Sequence, residues 1–347
     1  MTHYQKPPEL YEGLRLHQNE NTGGCSPQVL KALAGLHSEQ IGFYPPYAAA
    51  TDAVARYLGV AIDRVTLTNG LDEGIMALAM ACLRPSVGGS VLEAVVPEPA
   101  FEIFRLDTAV AGGRLVQVMP KPDFTFPLDE VLAAITSSTR VVFLTNPNNP
   151  TGVSMPLEVI RTVAHRVPAD AIVFVDEAYA EFAGVSFIPE LDLFPNVIVG
   201  RTFSKAFGLA GLRIGCLVGA PATVDPIRRA IPVYSVNVAA ASAVQAALAD
   251  LDFLNDYLRQ VAESKALLYA ACDRLGLTYF TSSSNFVLVC AGDRTDSLVN
   301  GAFARGVYIR DRSTEPGCAG CVRIATGIVE HTTRCIQVME EVLCAAR

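Results

Sequence analysis

Short, nearly continuous apolar runs recur through the middle of the chain, and each has the length of a β-strand. Runs of this kind are typical of strands that are buried on both faces of a mostly parallel sheet. They occupy residues 91–96, 141–145, 172–176, 197–200 and 214–218. The pattern therefore predicts a central sheet covered on both sides.

Stretches with apolar residues at helical spacing lie between and after these runs. Residues 128–134 and 157–166 predict helices that cross from one parallel strand to the next. A longer stretch, residues 251–275, predicts a long helix that leaves the large lobe. Further short β-rich runs follow at 285–289, 307–310 and 322–325, with helices around them. They predict a smaller α+β lobe at the C-terminal end.

These elements predict an α/β fold with two domains. We expect residues 30–250 to form a large domain with the mostly parallel sheet. Residues 1–29 and 251–347 would form the smaller α+β domain. The segment ahead of Ser26 is expected to pack with the small lobe or to cross the cleft.

Length, composition and charge narrow the class of protein. The 347 residues are enough for two lobes around a cleft, and 51% hydrophobic with 18% charged residues describes a compact enzyme. The net charge is -8 and no basic block is present, which argues against a nucleic-acid partner. No apolar run is long enough to cross a membrane. The first ten residues have no apolar signal core, so we expect a cytoplasmic protein.

One lysine stands in a sequence of unusual chemistry. Lys205 lies in Arg-Thr-Phe-Ser-Lys-Ala-Phe-Gly-Leu-Ala-Gly-Leu-Arg, with Thr202, Ser204 and Arg213 around it. Desolvation and nearby positive charge would lower the pKa of this lysine and make it a nucleophile, while its neighbours suit a phosphate. A reactive lysine beside a phosphate site suggests a Schiff base with pyridoxal phosphate. The alternative is a surface lysine in a glycine-rich loop.

Three polar residues follow predicted strands. Asp176 ends one of them and could pair with a pyridine nitrogen, which would keep that nitrogen protonated; the alternative is an N-cap of the next helix. Tyr179 lies three residues further on. Asn149 lies in the proline-rich turn of residues 145–152, which is either a site or a plain turn. Both side chains can donate to a phenolate oxygen.

A second phosphate-binding segment precedes the helical run 74–83. Gly70 permits a tight turn, and the backbone amides of Gly70, Leu71 and Asp72 would point at an anion. Many helices begin in this way, so the pattern alone is weakly specific.

Three further side chains are candidates for ligand contacts. Phe101 follows a predicted strand and could stack on a pyridine ring, or belong to the core. Arg323 is one charged residue inside a β-rich run, which favours pairing with a carboxylate or phosphate. Arg310 is either a second anion contact or a surface arginine at the end of a strand.

The cysteines and histidines predict no metal site. Nine cysteines are scattered along the chain, which fits reduced thiols. Cys318 and Cys321 have CxxC spacing, but no second pair completes a zinc site. We favour a loop before a strand for this pair, with a redox or metal role as the alternative.

Taken together, these motifs resemble those of fold-type I pyridoxal phosphate enzymes, specifically the class I/II aminotransferases and their histidinol-phosphate aminotransferase branch. The resemblance covers most of the chain. It rests on Asn-Glu-Asn at 19–21, Tyr-Pro at 44–45, Asn-Gly-Leu-Asp-Glu at 69–73, Asn-Pro-Asn-Asn-Pro-Thr-Gly at 146–152, Asp-Glu-Ala-Tyr at 176–179, Ser-Lys-Ala-Phe-Gly-Leu-Ala-Gly-Leu-Arg at 204–213, Gly-Val-Tyr-Ile-Arg-Asp at 306–311 and Val-Arg-Ile at 322–324.

The resemblance implies a role for each candidate. Lys205 would hold the cofactor and move a proton, Asp176 would pair with the ring nitrogen, and Tyr179 and Asn149 would contact the ring oxygen. The cofactor phosphate would be held by Gly70, Leu71, Asp72, Thr202, Ser204 and Arg213. Phe101 would stack on the ring, where the family often has tyrosine. Arg323, Arg310 and Asn19 would bind substrate. Tyr44 would reach the neighbouring subunit's cofactor, which implies a homodimer.

The resemblance also implies a reaction. L-histidinol phosphate and 2-oxoglutarate would give imidazole acetol phosphate and L-glutamate. An aromatic amino acid is an alternative amino donor. A phosphothreonine decarboxylase of the same fold is a second alternative, which would release carbon dioxide and need no keto acid.

Overall fold

The computed structural model describes residues 12–84 and 89–344. The expectation that the first ten residues carry no signal segment lies outside these ranges. Within them the strands are β1 (Leu14–Arg15), β2 (Val65–Thr68), β3 (Glu93–Pro97), β4 (Arg114–Val118), β5 (Thr139–Thr145), β6 (Ile172–Asp176), β7 (Val197–Thr202), β8 (Gly215–Gly219), β9 (Thr278–Tyr279), β10 (Phe286–Cys290), β11 (Val307–Tyr308), β12 (Arg310–Asp311) and β13 (Cys321–Ala325).

From β1 to β7, at least one helix lies between each pair of consecutive strands. In the same described residues the helices are α1 (Pro27–Ala34), α2 (Ser38–Gly42), α3 (Ala48–Leu58), α4 (Gly70–Leu83), α5 (Glu102–Val110), α6 (Leu128–Ala134), α7 (Leu157–Arg166), α8 (Ala180–Ala183), α9 (Pro221–Arg228), α10 (Val238–Leu248), α11 (Leu251–Leu275), α12 (Thr295–Phe303) and α13 (Val329–Cys344). The predicted bounds of α6, α7 and α11 match these.

A seven-stranded sheet organises the larger part of the molecule. Its order is β2-β8-β7-β6-β5-β3-β4, and β3 to β7 run parallel to one another. The predicted α/β fold with a mostly parallel sheet is confirmed. The strand predicted at 214–218 is present as β8, but it runs antiparallel to both β7 and β2.

Alternation along the strands explains why both faces of this sheet are buried. Successive side chains of a strand point to opposite faces. Val142 and Leu144 of β5 belong to one hydrophobic cluster, whereas Val141 and Phe143 belong to another on the other side. Both faces therefore exclude water, as the continuous apolar runs predict.

Two strands of this sheet escaped the sequence analysis, for different reasons. β4 lies at the sheet edge and has the sequence Arg-Leu-Val-Gln-Val, with its first and fourth residues exposed. β2 is buried, but alternating threonines interrupt its apolar run. Neither segment carries the continuous apolar pattern that identified the others.

A four-stranded antiparallel sheet, β12-β13-β10-β9, lies in the C-terminal part. The sequence predicts one strand over residues 307–310, but the structure divides this run: β11 pairs with β1, and β12 pairs with β13. Residues of α11, α12 and α13 pack with this sheet in one hydrophobic cluster. The division of the chain into two domains with the predicted bounds stays a prediction.

The segment of residues 13–26 contacts residues in or beside both of the larger sheets. β1 pairs in parallel with β11, and the amide of Ala325 donates to the carbonyl of Leu16 at 2.9 Å. Further along, the Asn21 amide donates to the carbonyl of Ala206 at 2.9 Å. Ser26 then caps α1 and bonds to Asp250. The segment therefore crosses between the two sheets, which combines both expectations made for it.

Candidate active site

The C-terminal ends of β5, β6 and β7 open into a cavity of about 600 Å³, which the four-stranded sheet and the 13–26 segment close from other sides. Residues 146–152 follow β5, while Asp176 and Thr202 end the next two strands. The predicted site residues that line this cavity are Asn19, Leu71, Asp72, Phe101, Asn149, Asp176, Tyr179, Thr202, Ser204, Lys205, Arg213, Arg310 and Arg323. The fold thus gathers candidates from most of the chain's length.

Lys205 follows β7 by three residues and is partly buried. Its Nζ donates to the backbone carbonyl of Gln18 at 3.0 Å. Burial, followed by the positive charge of Arg323, lowers the pKa of Lys205 to about 8. The neutral, nucleophilic amine is therefore accessible close to physiological pH.

Asp176 is buried at the end of β6. Its Oδ1 accepts a hydrogen bond from the amide of Ala178 at 2.9 Å. Burial raises the pKa of Asp176 to about 7, and the charges of Asp72 and Glu177 act in the same direction. The next helix, α8, begins at Ala180 with Tyr179 as its N-cap, so Asp176 does not cap it. The carboxylate suits a positively charged partner in the cavity.

Tyr179 and Asn149 are each fixed by a polar neighbour. Asn19 Nδ2 donates to the Tyr179 hydroxyl at 2.9 Å, so the hydroxyl proton stays available for another acceptor. Asn149 Oδ1 accepts from Arg323 Nη1, which leaves the amide nitrogen of Asn149 as the group that can donate. Two hydrogen-bond donors are thereby oriented by residues from distant parts of the chain.

Hydroxyl groups at the end of β7 suit an anion. The amide of Ser204 donates to Thr202 Oγ1 at 3.2 Å. The Ser204 hydroxyl is buried and has no hydrogen-bond partner among the described residues. A buried hydroxyl without a partner is unfavourable, so a bound acceptor would stabilise it.

Arg213 and the start of α4 complete this side of the cavity. Arg213 Nη2 donates to Asp72 Oδ2 at 2.6 Å. Gly70 has φ +73°, and a Cβ built on it would lie 2.4 Å from Arg213 Nη2. Gly70 is predicted to contact the phosphate, but it does not appear among the residues that line the cavity. What the structure shows is that it makes room for Arg213.

Phe101 stands at the entrance to α5 and combines its two interpretations. The side chain lines the cavity and is partly buried. Its ring also lies edge-to-face against Phe104, with centroids 6.2 Å apart. It packs against the core while part of its surface faces the cavity.

The arginines come from the antiparallel sheet. Arg323 lies in the middle of β13, opposite Leu288 on one side and Arg310 on the other. Its Nη2 donates to the carbonyl of His17 at 2.8 Å, and its guanidinium lies 5.4 Å from the ring centroid of Phe286. Arg323 is buried, whereas Arg310 is partly buried.

Sequence reasoning missed a third arginine. Arg312 lines the cavity and bonds to Glu315 at 3.3 Å, and burial lowers its pKa. Residues two apart in an extended segment share a face, so the spacing of Arg310 and Arg312 was the available signal.

Sequence reasoning also missed the contribution of the 13–26 segment. His17, Gln18 and Glu20 line the cavity beside Asn19. Burial, with the charges of Arg310 and Arg15 next, lowers the pKa of His17 to about 4, so its ring is neutral at physiological pH. The Asn-Glu-Asn motif marked this place, but no local pattern shows that the segment crosses the molecule.

Tyr44 lies outside this cavity. Its side chain is 75% exposed, and its ring stacks on that of Tyr234 with centroids 4.1 Å apart. Phe43, Ile41 and Val233 are also exposed. The predicted role of Tyr44 in a neighbouring subunit stays a prediction.

The described residues, 12–84 and 89–344, contain no helix that is both long enough and apolar enough to cross a membrane. No group of three or more histidine, cysteine or acidic residues in these ranges is placed to hold a metal ion.

The family follows from a comparison of the whole chain. The sequence model for the family described as aminotransferase class I and II matches residues 11–337. The chain belongs to this family. The predicted family is thereby confirmed, and the cavity at the strand ends is the candidate active site of a class I/II aminotransferase.

Individual relatives within the aminotransferases are also similar along most of the chain. Histidinol-phosphate aminotransferase from Halalkalibacterium halodurans is 34% identical over 337 residues, which cover 95% of this chain and 89% of the relative. Histidinol-phosphate aminotransferase 1 from Cupriavidus pinatubonensis is 37% identical over 339 residues, covering 95% and 88%. These relatives confirm the predicted similarity to that branch.

A solved structure extends the similarity to the fold. The crystal structure of histidinol-phosphate aminotransferase from Sinorhizobium meliloti in complex with pyridoxal-5'-phosphate has a TM-score of 0.87 and 28% identity. The matched region covers 97% of this chain and 92% of that one. The architecture of this aminotransferase is therefore that of the family over nearly its full length.

Proposed function

We propose that this chain is a pyridoxal phosphate-dependent aminotransferase that transfers the amino group of L-histidinol phosphate to 2-oxoglutarate. The products are imidazole acetol phosphate and L-glutamate. One observation carries the proposal: Arg310, Arg312 and Arg323 line the same cavity as a lysine of lowered pKa and a buried carboxylate. The names of the similar proteins from Halalkalibacterium and Cupriavidus support the amino donor.

The residues of the cavity fit pyridoxal phosphate. The partnerless Ser204 hydroxyl, together with Thr202 and Arg213, suits its phosphate. The buried Asp176 carboxylate suits a protonated ring nitrogen. Lys205, with its pKa near 8, suits covalent attachment to an aldehyde.

Bound pyridoxal phosphate supplies an electron sink for a carbanion at the substrate Cα. Lys205 then acts as the acid and base that moves the proton from the Cα. Asp176 keeps the ring nitrogen protonated, and Tyr179 and Asn149 donate hydrogen bonds to the ring oxygen. Because the pKa of Lys205 is about 8, a substantial fraction of the amine is neutral near that pH and can accept the proton without a large energetic cost.

Arg310, Arg312 and Arg323 bind the anionic end of each substrate. A guanidinium group can form two parallel hydrogen bonds with either a phosphate or a carboxylate. The amino donor and 2-oxoglutarate occupy the cavity in turn, so one set of arginines serves the phosphate of the first and a carboxylate of the second. The His17 ring is neutral at physiological pH and adds no further positive charge to this set.

The test is the visible spectrum of the pyridoxal phosphate-loaded protein during titration with L-histidinol phosphate, phenylalanine and phosphothreonine in parallel. We expect histidinol phosphate to bleach the cofactor band at low concentration and 2-oxoglutarate to restore it. Bleaching by phenylalanine alone would mean that the amino donor is an aromatic amino acid. Carbon dioxide release from phosphothreonine would make the protein a decarboxylase.

The protein is also proposed to act as a homodimer in which Tyr44 reaches the partner's cofactor phosphate. The exposed aromatic and aliphatic side chains around Tyr44 support an interface there, since such a patch is costly in water. The test mixes Tyr44→Phe with Lys205→Ala subunits. If Tyr44 acts across the dimer, mixed dimers contain one complete site and recover activity; if it acts within its own subunit, they do not. A cytoplasmic location is proposed as well.

A further inference from the structure

Three cysteines meet at one end of the antiparallel sheet. Cys318 and Cys321 have CxxC spacing, for which the sequence offered no second pair. The fold supplies a third thiol, because Cys290 on β10 lies directly opposite Cys321 on β13. Among the described residues, no group of three or more histidine, cysteine or acidic side chains could hold a metal ion. We therefore consider a reaction between the thiols themselves.

The backbone around this pair allows a direct bond between the two sulfur atoms. The amide of Cys321 donates to the carbonyl of Cys318, and its carbonyl accepts from the amide of Arg312. Beside the pair, the Ala291 amide donates to the Gly320 carbonyl. Cys290 and Cys321 are therefore a non-hydrogen-bonded pair, whose Cα atoms in antiparallel sheets lie about 4.5 Å apart. Disulfides span Cα separations of about 4.4 to 6.8 Å, so little movement is needed.

The two thiols differ in access and in acidity. Cys290 is partly exposed, whereas Cys318 and Cys321 are buried. The Cys321 thiol donates to the carbonyl of Ala319 at 3.8 Å, and its interaction with the neighbouring Cys290 thiol lowers the pKa of Cys290 and raises that of Cys321. Cys290 is thus the accessible nucleophile, and Cys321 is placed to attack it from the protein side.

The pair also lies close to the substrate side of the cavity. Cys321 and Arg323 are two residues apart on β13 and so share a face of the sheet. Cys318 and Cys321 pack with Phe124 and Leu288, and Leu288 is the cross-strand neighbour of Arg323. A covalent change at the pair therefore acts on the strand that carries a proposed substrate ligand.

We propose that Cys290 and Cys321 are a thiol modification site that forms a reversible cross-strand disulfide by exchange with a small-molecule disulfide such as oxidised glutathione. The Cys290 thiolate attacks one sulfur of that disulfide and releases one small thiolate. The Cys321 thiolate then attacks the Cys290 sulfur and releases the second. The two protein thiols are oxidised, the small disulfide is reduced to two thiols, and the two protein protons go to them.

The experiment treats the reduced full-length protein with excess oxidised glutathione at neutral pH. Remaining thiols are then alkylated under denaturing conditions, and peptides are mapped by mass spectrometry. We expect a linked Cys290–Cys321 peptide that lacks the mass of two hydrogen atoms and returns to two thiols with dithiothreitol. The exposed Cys344 serves as the internal standard for reaction with the oxidant.

Two variants at Cys321 separate the steps. Both Cys321→Ser and Cys321→Ala should stop at a mixed disulfide between Cys290 and glutathione. Serine keeps a hydrogen-bond donor beside Cys290 and alanine does not, so Cys290 of the serine variant should react about threefold faster. Cys290→Ser, at a partly exposed position, should abolish the linkage and leave Cys321 reduced.

Three results would overturn the proposal: Cys290 alkylated while Cys344 carries glutathione, a Cys290–Cys318 linkage, or a mixed disulfide that persists in the unmutated protein. The assay follows thiols and not transamination. It therefore remains informative whether or not the proposed substrate is correct.

Discussion

The two sheets place functional groups in different ways. The parallel strands of the large sheet deliver Asp176, Thr202 and the turn containing Asn149 from their C-terminal ends, each with its own loop. The antiparallel sheet instead delivers Arg323 from the middle of a strand, with Arg310 beside it in register. Strand ends bring unlike groups together for the proposed chemistry, whereas a strand face sets like charges side by side for the proposed recognition of substrate.

The electrostatic consequences of these placements differ as well. The strand ends bring Lys205 and Asp176 into one cavity. Burial lowers the pKa of the lysine and raises that of the carboxyl group, so it favours the neutral form of each. On the face, the Arg323 guanidinium donates to two oxygen acceptors, the His17 carbonyl and Asn149 Oδ1. The regions are coupled, because the charge of Arg323 lowers the pKa of Lys205.

The largest effect is expected at the strand ends. Lys205→Ala removes both the attachment point and the proton carrier, so transamination should fall by at least about 10⁴-fold. Borohydride reduction followed by mass spectrometry should detect no cofactor bonded to the variant. Retained multiple turnover without added amine would falsify the assignment of Lys205.

A smaller and more selective loss is expected at the strand face. Arg323→Gln removes charge-assisted hydrogen bonds to the substrate, so KM should rise by about 30- to 100-fold. The dissociation constant of pyridoxal phosphate, measured by fluorescence titration at a pH where Lys205 is neutral in both proteins, should change little. Equal losses in substrate and cofactor binding would give Arg323 a structural role. The distinction between the strand face and the strand ends would then not hold.

A further test changes the support of a strand-end group without removing it. Gly70→Ala should weaken cofactor binding by about tenfold, because the new methyl group collides with Arg213 and the residue has positive φ. The free energy of unfolding should fall by about 1 kcal/mol. Gly59→Ala, also at positive φ but with open space around its Cβ, is the control for strain alone. Equal cofactor affinities in the two variants would show that the contact between Gly70 and Arg213 does not support cofactor binding.

The smallest effect measures the coupling between the two regions. Attachment of pyridoxal phosphate should rise with pH through about 8 as Lys205 loses its proton. In Arg323→Gln, loss of the neighbouring positive charge should raise the pKa of Lys205, so the midpoint moves to higher pH. An unchanged midpoint in the absorbance titration would show that burial alone sets this pKa.

The strand-end groups could be predicted because local sequence marks them. Asp176 ends an apolar run, Asn149 lies in a proline-rich turn after another, and Lys205 follows a third. The strand-face groups depend on register and on distant segments. Nothing local in β13 places Arg323 beside Arg310, and nothing in the Asn-Glu-Asn motif shows that Gln18 meets Lys205. The same limit concealed Cys290 as the neighbour of Cys321.

The crossing segment of residues 13–26 has a practical consequence for protein engineering. It gives the lysine amine its acceptor at Gln18, and a Cβ on Gly208 would lie 2.0 Å from the carbonyl oxygen of Gly24. Because these contacts fix the segment between the two sheets, we expect an inserted peptide, a nick or a fusion junction there to disturb the site. Trimming the polypeptide into this segment to aid crystallisation would yield a damaged catalyst, even if every residue after Ser26 folded as before.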